Sequence, residues 1–177
     1  MEEKVNPWKS NLTNGLILGL VGIMYSLVMY FMDLTFNQIQ GYVFIVVQIG
    51  MIYFLLKSYR DNYMHGQITY GQSLGAGMII FLYSSILVAV YTYLLYTVID
   101  TGLVTKQLAF QEAEMLKRGI PQASIDAGMA MQAKILKPAI IAPLSILGSM
   151  FWGLIVSLLI SIFIRKEGNP LIETPQN

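Results

Sequence analysis

The chain has 177 residues, 55% of them hydrophobic and 12% charged, with a formal net charge of +1. A soluble domain carries about 25% charged residues, so this chain lacks the polar surface to cover a water-facing fold, and its near-neutral balance argues against nucleic acid or an acidic substrate. The absence of cysteine excludes disulfides, thiolate metal sites and a cysteine nucleophile, and a single histidine, His65, excludes a histidine-rich metal centre.

In chain order, residues 1–10 form a polar tail in which Glu2, Glu3, Lys4 and Lys9 cancel, with Trp8 at the headgroup level. The first apolar run covers residues 12–32 and stops at Asp33. A secretory signal would have a shorter apolar core and a small-residue cleavage site after it, so this run reads as an uncleaved anchor. A short loop without Lys or Arg leads to a second run, 41–56, interrupted only by Gln48. The polar approach Lys57-Ser58-Tyr59-Arg60-Asp61 and a turn through Gly66 and Gly71 then introduce a third run, 74–99, which contains no charged residue. Roughly 20 apolar residues cross a bilayer core as a helix, whereas strands in soluble cores stop after about ten. Residues 101–137 are a polar insert, and a fourth run, 139–164, closes on Arg165-Lys166. The tail, 168–177, holds Pro170 and Pro175 and reads as disordered.

The fold class expected is an all-α integral membrane protein, one domain of four transmembrane helices with a helical-hairpin insert between the third and fourth. Within the insert, Val104, Leu108 and Met115 share one helical face and Ile125, Met129 and Leu136 another. Gly119-Ile120-Pro121 breaks between them, glycine as a C-cap and proline in a first turn. Pro138 and Pro143 at the entry to the fourth span predict a bend or a helix start. The Lys and Arg near the span ends favour both termini on the cytoplasmic side, with Lys4, Lys9, Lys57, Arg60, Arg165 and Lys166 inside. The insert's Lys106, Lys117, Arg118, Lys134 and Lys137 work against that orientation.

Small residues let helix backbones approach closely in lipid, where apolar contact alone gives no driving force. Such ribbons are Gly15, Gly19, Gly22 and Ser26 in the first span, and Gly71 and Gly75 continuing to Ser85 and Ala89 in the third. The fourth carries Ser145, Ser149, Gly153, Ser157 and Ser161. They fit packing within the bundle better than a dimer face, although sequence does not separate the two.

Gly71-Gln72-Ser73-Leu74-Gly75 matches the G-x-S-x-G nucleophile elbow, but that elbow needs a preceding strand and a later histidine. His65 precedes Ser73, and no span contains a histidine or lysine, so an enzyme is disfavoured. His65 reads as a solvated loop residue. Gln48 either lines a polar solute path or hydrogen-bonds a neighbouring helix. Asp33 and Asp100 would share one interface, where they hold a cation or, the better reading, end their spans and cap the next helices. Asn11-Leu12-Thr13 fits a glycosylation sequon but abuts the membrane. The many tyrosines are explained by interfacial belts and packing.

Several stretches together resemble one family. They are Tyr59-Arg60-Asp61, Ile68-Thr69-Tyr70-Gly71-Gln72-Ser73-Leu74-Gly75, Tyr91-Thr92-Tyr93-Leu94 and Ile99-Asp100, with Gly15-Leu16-Ile17-Leu18-Gly19-Leu20, Met129-Ala130-Met131-Gln132 and Leu147-Gly148-Ser149-Met150-Phe151. Over nearly the whole chain they resemble the domain-of-unknown-function 4199 family, small bacterial four-span proteins. Thr101 departs from the proline that such members often carry after the aspartate. The resemblance implies the architecture and brings no activity, cofactor or site.

The function expected is that of a non-enzymatic protein of the bacterial inner membrane, without cofactor or metal. It would act by helix association or by binding a membrane-protein partner, or a second copy, through the insert. The alternative is a small oligomeric channel or carrier with Gln48 near the path.

Overall fold

The computed structural model describes residues 5–167. The helices are α1 (Pro7–Phe31), α2 (Gln38–Tyr63), α3 (Tyr70–Leu94), α4 (Leu103–Lys117), α5 (Gln122–Ile135) and α6 (Pro138–Ile164), and α3 runs on into a π-helical turn, Leu95–Ile99. No strand occurs among the described residues, only one isolated antiparallel bridge between Ile68 and Lys166. The expected disordered tail lies outside the described residues.

Local sequence explains where the helices begin. Asn6 accepts from the Trp8 and Lys9 amides, with Pro7 supplying a first turn that needs no donor. Asn37 caps α2 by accepting from the Ile39 amide at 2.9 Å. Thr69 and Gln72 cap α3 reciprocally, each side chain accepting from the other's backbone amide, at 3.0 and 3.3 Å. Pro138 opens α6, and the helix continues unbroken across Pro143. The expected break at the fourth span is therefore a helix start at Pro138, with Pro143 inside the helix. Each long helix extends beyond its apolar run, so Lys57 to Tyr63 belong to α2 and Pro7 to Asn11 to α1.

Four of these helices, α1, α2, α3 with its π turn, and α6, are long and apolar enough to cross a membrane. Their outward faces carry Phe31, Val46, Phe151 and Phe163, each at least 69% exposed. A water-soluble monomer rarely shows contiguous apolar patches of more than a few hundred Å². The surface therefore belongs in lipid, which makes the chain a multi-pass membrane protein.

α3 sits at the centre, with its most extensive packing against α6 and α1, while α2 touches its neighbours more sparsely. The buried core of Ile52, Leu56, Ile80, Phe81 and Val156 lies among α2, α3 and α6. Two ends of the bundle are distinct. At the terminal end, Ile68 and Lys166 exchange backbone hydrogen bonds at 2.9 and 3.0 Å, and Arg60 donates to the Ile164 carbonyl at 3.3 Å. These bonds tie the α2–α3 turn to the last residues of α6. At the opposite, insert end, α4 is held by the Tyr96 hydroxyl donating to Gln107 Oε1 at 2.8 Å and by the stacking of Phe110 on Phe36. α5 packs on α4, where Met115 Cε faces Gly128.

Candidate functional site

The closest helix pair explains which small residues matter. Along the antiparallel α3 and α6, Ser161 donates to Ser73 at 3.0 Å, Gly77 lies against Ser157, and Gly153 against Phe81. Each four-residue step up α3 is met by a four-residue step back along α6. A methyl group at Gly153 would sit 2.8 Å from Phe81 Cβ, which has no room to yield. On the other side of α3, Gly15 faces Tyr83, and a methyl at Gly19 would come 2.9 Å from Leu87 Cδ2. Gly22 has looser surroundings, with Phe44 at 3.5 Å.

Gly71 and Gly75 do not take part. A side chain added at either would meet open space, and the residue that lets α6 approach is Gly77. The first half of the expected ribbon in the third span is thus displaced around the helix, because Ser73 and Gly77, rather than Gly71 and Gly75, share the face turned to α6, while Ser85 and Ala89 farther along are buried. Ser73 and Gly77 are also small residues at four-residue spacing, the signal in the sequence that marks this face.

The second feature is a cleft of about 510 Å³ between α1, α2, α3 and α6, reaching from Thr35 and Gln40 at the insert end down to Leu18 and Gln48. It forms where α2 diverges: in the terminal half Ile52, Leu55, Leu56 and Tyr59 are buried, while in the insert half Tyr42, Val43 and Val46 are exposed. Gly41 and Gly148 line the cleft and have nothing within reach of an added methyl. Gln48 bridges across, its Oε1 accepting from the Trp152 indole at 2.8 Å. Ser149 also lines the cleft. Sequence reading missed Trp152, although a mid-span tryptophan away from the interfacial belt carries an N–H that must find an acceptor.

The remaining sequence candidates fall elsewhere. Ser73 lies in the first turns of α3, follows a helix cap rather than a strand, and is fully buried against Ser161. His65 is exposed, adopts a φ of 51°, and borders a separate hollow at the terminal end with Tyr59, Gln72 and Gly75. Asn11 is fully buried, donating to the Pro7 carbonyl at 2.9 Å, so the sequon is inaccessible. Ser157 is buried with no hydrogen-bond partner for its hydroxyl among the described residues.

At the insert end, Asp100 closes the turn before α4 by accepting from the Gly102 amide at 3.0 Å and from Lys106 Nζ at 2.7 Å. The Tyr30 hydroxyl adds a third bond at 3.2 Å. The Lys106 ammonium, helped by Tyr30 and the Gly102 amide, holds the carboxyl below its ordinary range against the opposing effect of burial. Asp100 therefore braces the turn and does not cap the next helix as expected, because its carboxylate accepts from Gly102, the residue before α4, and α4 begins without a side-chain cap. Asp33 sits in the α1–α2 turn with a φ of 55°, and α2 is capped by Asn37 instead.

A bundle of four membrane-crossing helices with a two-helix segment before the last defines a small multi-pass membrane protein. The family model described as "Protein of unknown function (DUF4199)" matches residues 13–166, and the chain belongs to that family. No curated protein and no solved structure matches it.

Proposed function

We propose that the chain is a non-enzymatic protein of the bacterial inner membrane, with both termini cytoplasmic, that binds a membrane partner or a second copy through α4 and α5 acting as a helical hairpin. The observation that carries this reading is the contrast between the segment's two sides. One side is anchored to the bundle through Gln107, Lys106 and Phe110, and the other leaves Leu116, Met131 and Ile135 exposed. Exposed apolar residues rimmed by charge suit a recognition surface. The test places a photo-crosslinking side chain at Leu116 or Met131 in native membranes. A discrete adduct is expected, lost when Leu108→Asp and Met129→Asp together weaken the hairpin by placing two unpaired carboxylates at half-buried apolar positions. Adducts absent from both positions would overturn the reading. A reporter at Gln176 active only on the outer side would overturn the orientation.

The carrier reading is favoured by one observation, the cleft that reaches Gln48. Solute flux in proteoliposomes that depends on Gln48 would support it.

A further inference from the structure

The cleft carries a chemical specificity that partner binding does not use. Its lining residues include no charged side chain. Its volume of about 510 Å³ falls in the range of roughly 300–1,000 Å³ typical of small-molecule sites. The walls offer apolar surface from Leu18, Met29, Phe44 and Val88, and the ring of Phe44 is stacked on Tyr25 with centroids 5.0 Å apart.

The polar groups are unequally committed. Tyr25 spends its hydroxyl proton on the Gln40 carbonyl at 2.7 Å. Ser26 accepts from the Tyr91 hydroxyl at 3.3 Å. Gln48 differs, because indole N–H is a donor only. Trp152 therefore takes the amide oxygen and turns the NH₂ end away from itself. Those amide protons have no partner among the described residues. The site thus presents a fixed donor and calls for an acceptor oxygen on its ligand.

Depth narrows the ligand further. Gln48 lies ten residues into α2, about 15 Å along the axis at 1.5 Å per residue. That is roughly the middle of a hydrocarbon core about 30 Å thick. Ester carbonyls of glycerolipids sit at the interface, well short of that level. A neutral carbonyl compound dissolved in the bilayer interior reaches it.

We propose that the cleft binds a neutral, carbonyl-bearing hydrophobe of the bilayer core, of the alkylated-quinone class, with a ring oxygen accepting from Gln48 and the apolar body between Phe44, Met29 and Val88. No electron transfer is part of the proposal.

Trp152 and Trp8 are the two tryptophans, so a Trp8→Phe background leaves one reporter, hydrogen-bonded at the site. A decyl-substituted 1,4-benzoquinone titrated into the protein in nanodiscs should change Trp152 emission saturably. Gln48→Leu should weaken the binding at least about fivefold, the loss expected for one buried hydrogen bond. Gly41 and Gly148 line the cleft and a Cβ added at either meets open space, so Gly41→Leu and Gly148→Leu should fold with melting curves near wild type and lose the saturable response. Three outcomes would overturn the proposal: no saturable change, binding retained in both filled variants, or equal uptake of decyl sulfate. Saturable binding of monodecanoylglycerol with no response to the quinone would overturn the depth argument and the quinone class with it.

Discussion

α6 and α2 both lie against α3, yet one is gripped and the other only leans. Along α6 three successive turns approach α3 through a small residue on at least one side, Ser161 on Ser73, Ser157 on Gly77 and Gly153 on Phe81. α2 brings Ile52, Leu55, Leu56 and Tyr59 to the core in its terminal half. In its insert half the glycines Gly41 and Gly50 face no neighbour at all. The lesson concerns what a glycine does in lipid. Without a hydrophobic drive, helices join where backbones fit together, and a glycine with no complementary bulge opposite leaves a space. The same residue type seals one interface and opens the other.

The largest effect should come from breaking the gripped pair. Gly153→Leu forces a side chain into the Phe81 ring, and overpacking of this kind costs about 1–3 kcal/mol. A clearly lowered thermal midpoint in detergent is expected, and an unchanged midpoint would mean that the α3–α6 contact does not hold the bundle together.

A smaller effect tests the leaning helix. Gln48→Leu removes the single side-chain bond from α2 to Trp152. Hydrogen bonds between membrane helices average about 0.6 kcal/mol and reach about 1.7, so the midpoint should fall slightly while oligomer state and helix content stay constant. A loss as large as that of Gly153→Leu would show that α2 is held by this bond more than by its terminal half.

The insert junction should respond to pH. The Asp100 carboxyl is held low chiefly by Lys106, so its folded value lies below its unfolded one. Its contribution is present above the unfolded value, about pH 4, and disappears as pH falls through the folded value. Pepsin cleavage near Leu103 should therefore accelerate below about pH 4 in the wild type. Because pepsin's own carboxylate pair titrates in the same range, the wild type is compared with Asp100→Asn at each pH. The wild type should be cut more slowly than the variant above about pH 4 and equally fast well below it, and a ratio that does not change with pH would assign the effect to another group.

The smallest effect is expected at the open glycines. A Cβ added at Gly75 meets open space, so Gly75→Leu is a surface substitution, and these stay within about 0.5 kcal/mol. A destabilisation comparable to Gly153→Leu would mean that the exposed face of α3 is covered by a partner helix.

The sequence by itself determined the membrane, the number of long helices, the helical content of the insert and the helix start at Pro138. All of these depend on local composition: uncharged runs of sufficient length, apolar residues at helical spacing, and a proline where no donor is needed. It also marked Gly15, Gly19 and Gly153 as places of close approach. Tertiary structure alone decided that Gly77 and not Gly75 meets α6, that Gln48 answers Trp152, that Asn11 is buried, and that a cleft opens beside α2. A glycine is a permission for contact and carries no record of the surface opposite. Whether it becomes a seam or a void depends on the rotation and register of a second helix distant in the chain. A 3.6-residue repeat turns neighbouring small residues to different sides, so a shift of two positions along α3 exchanges the packed face for the open one.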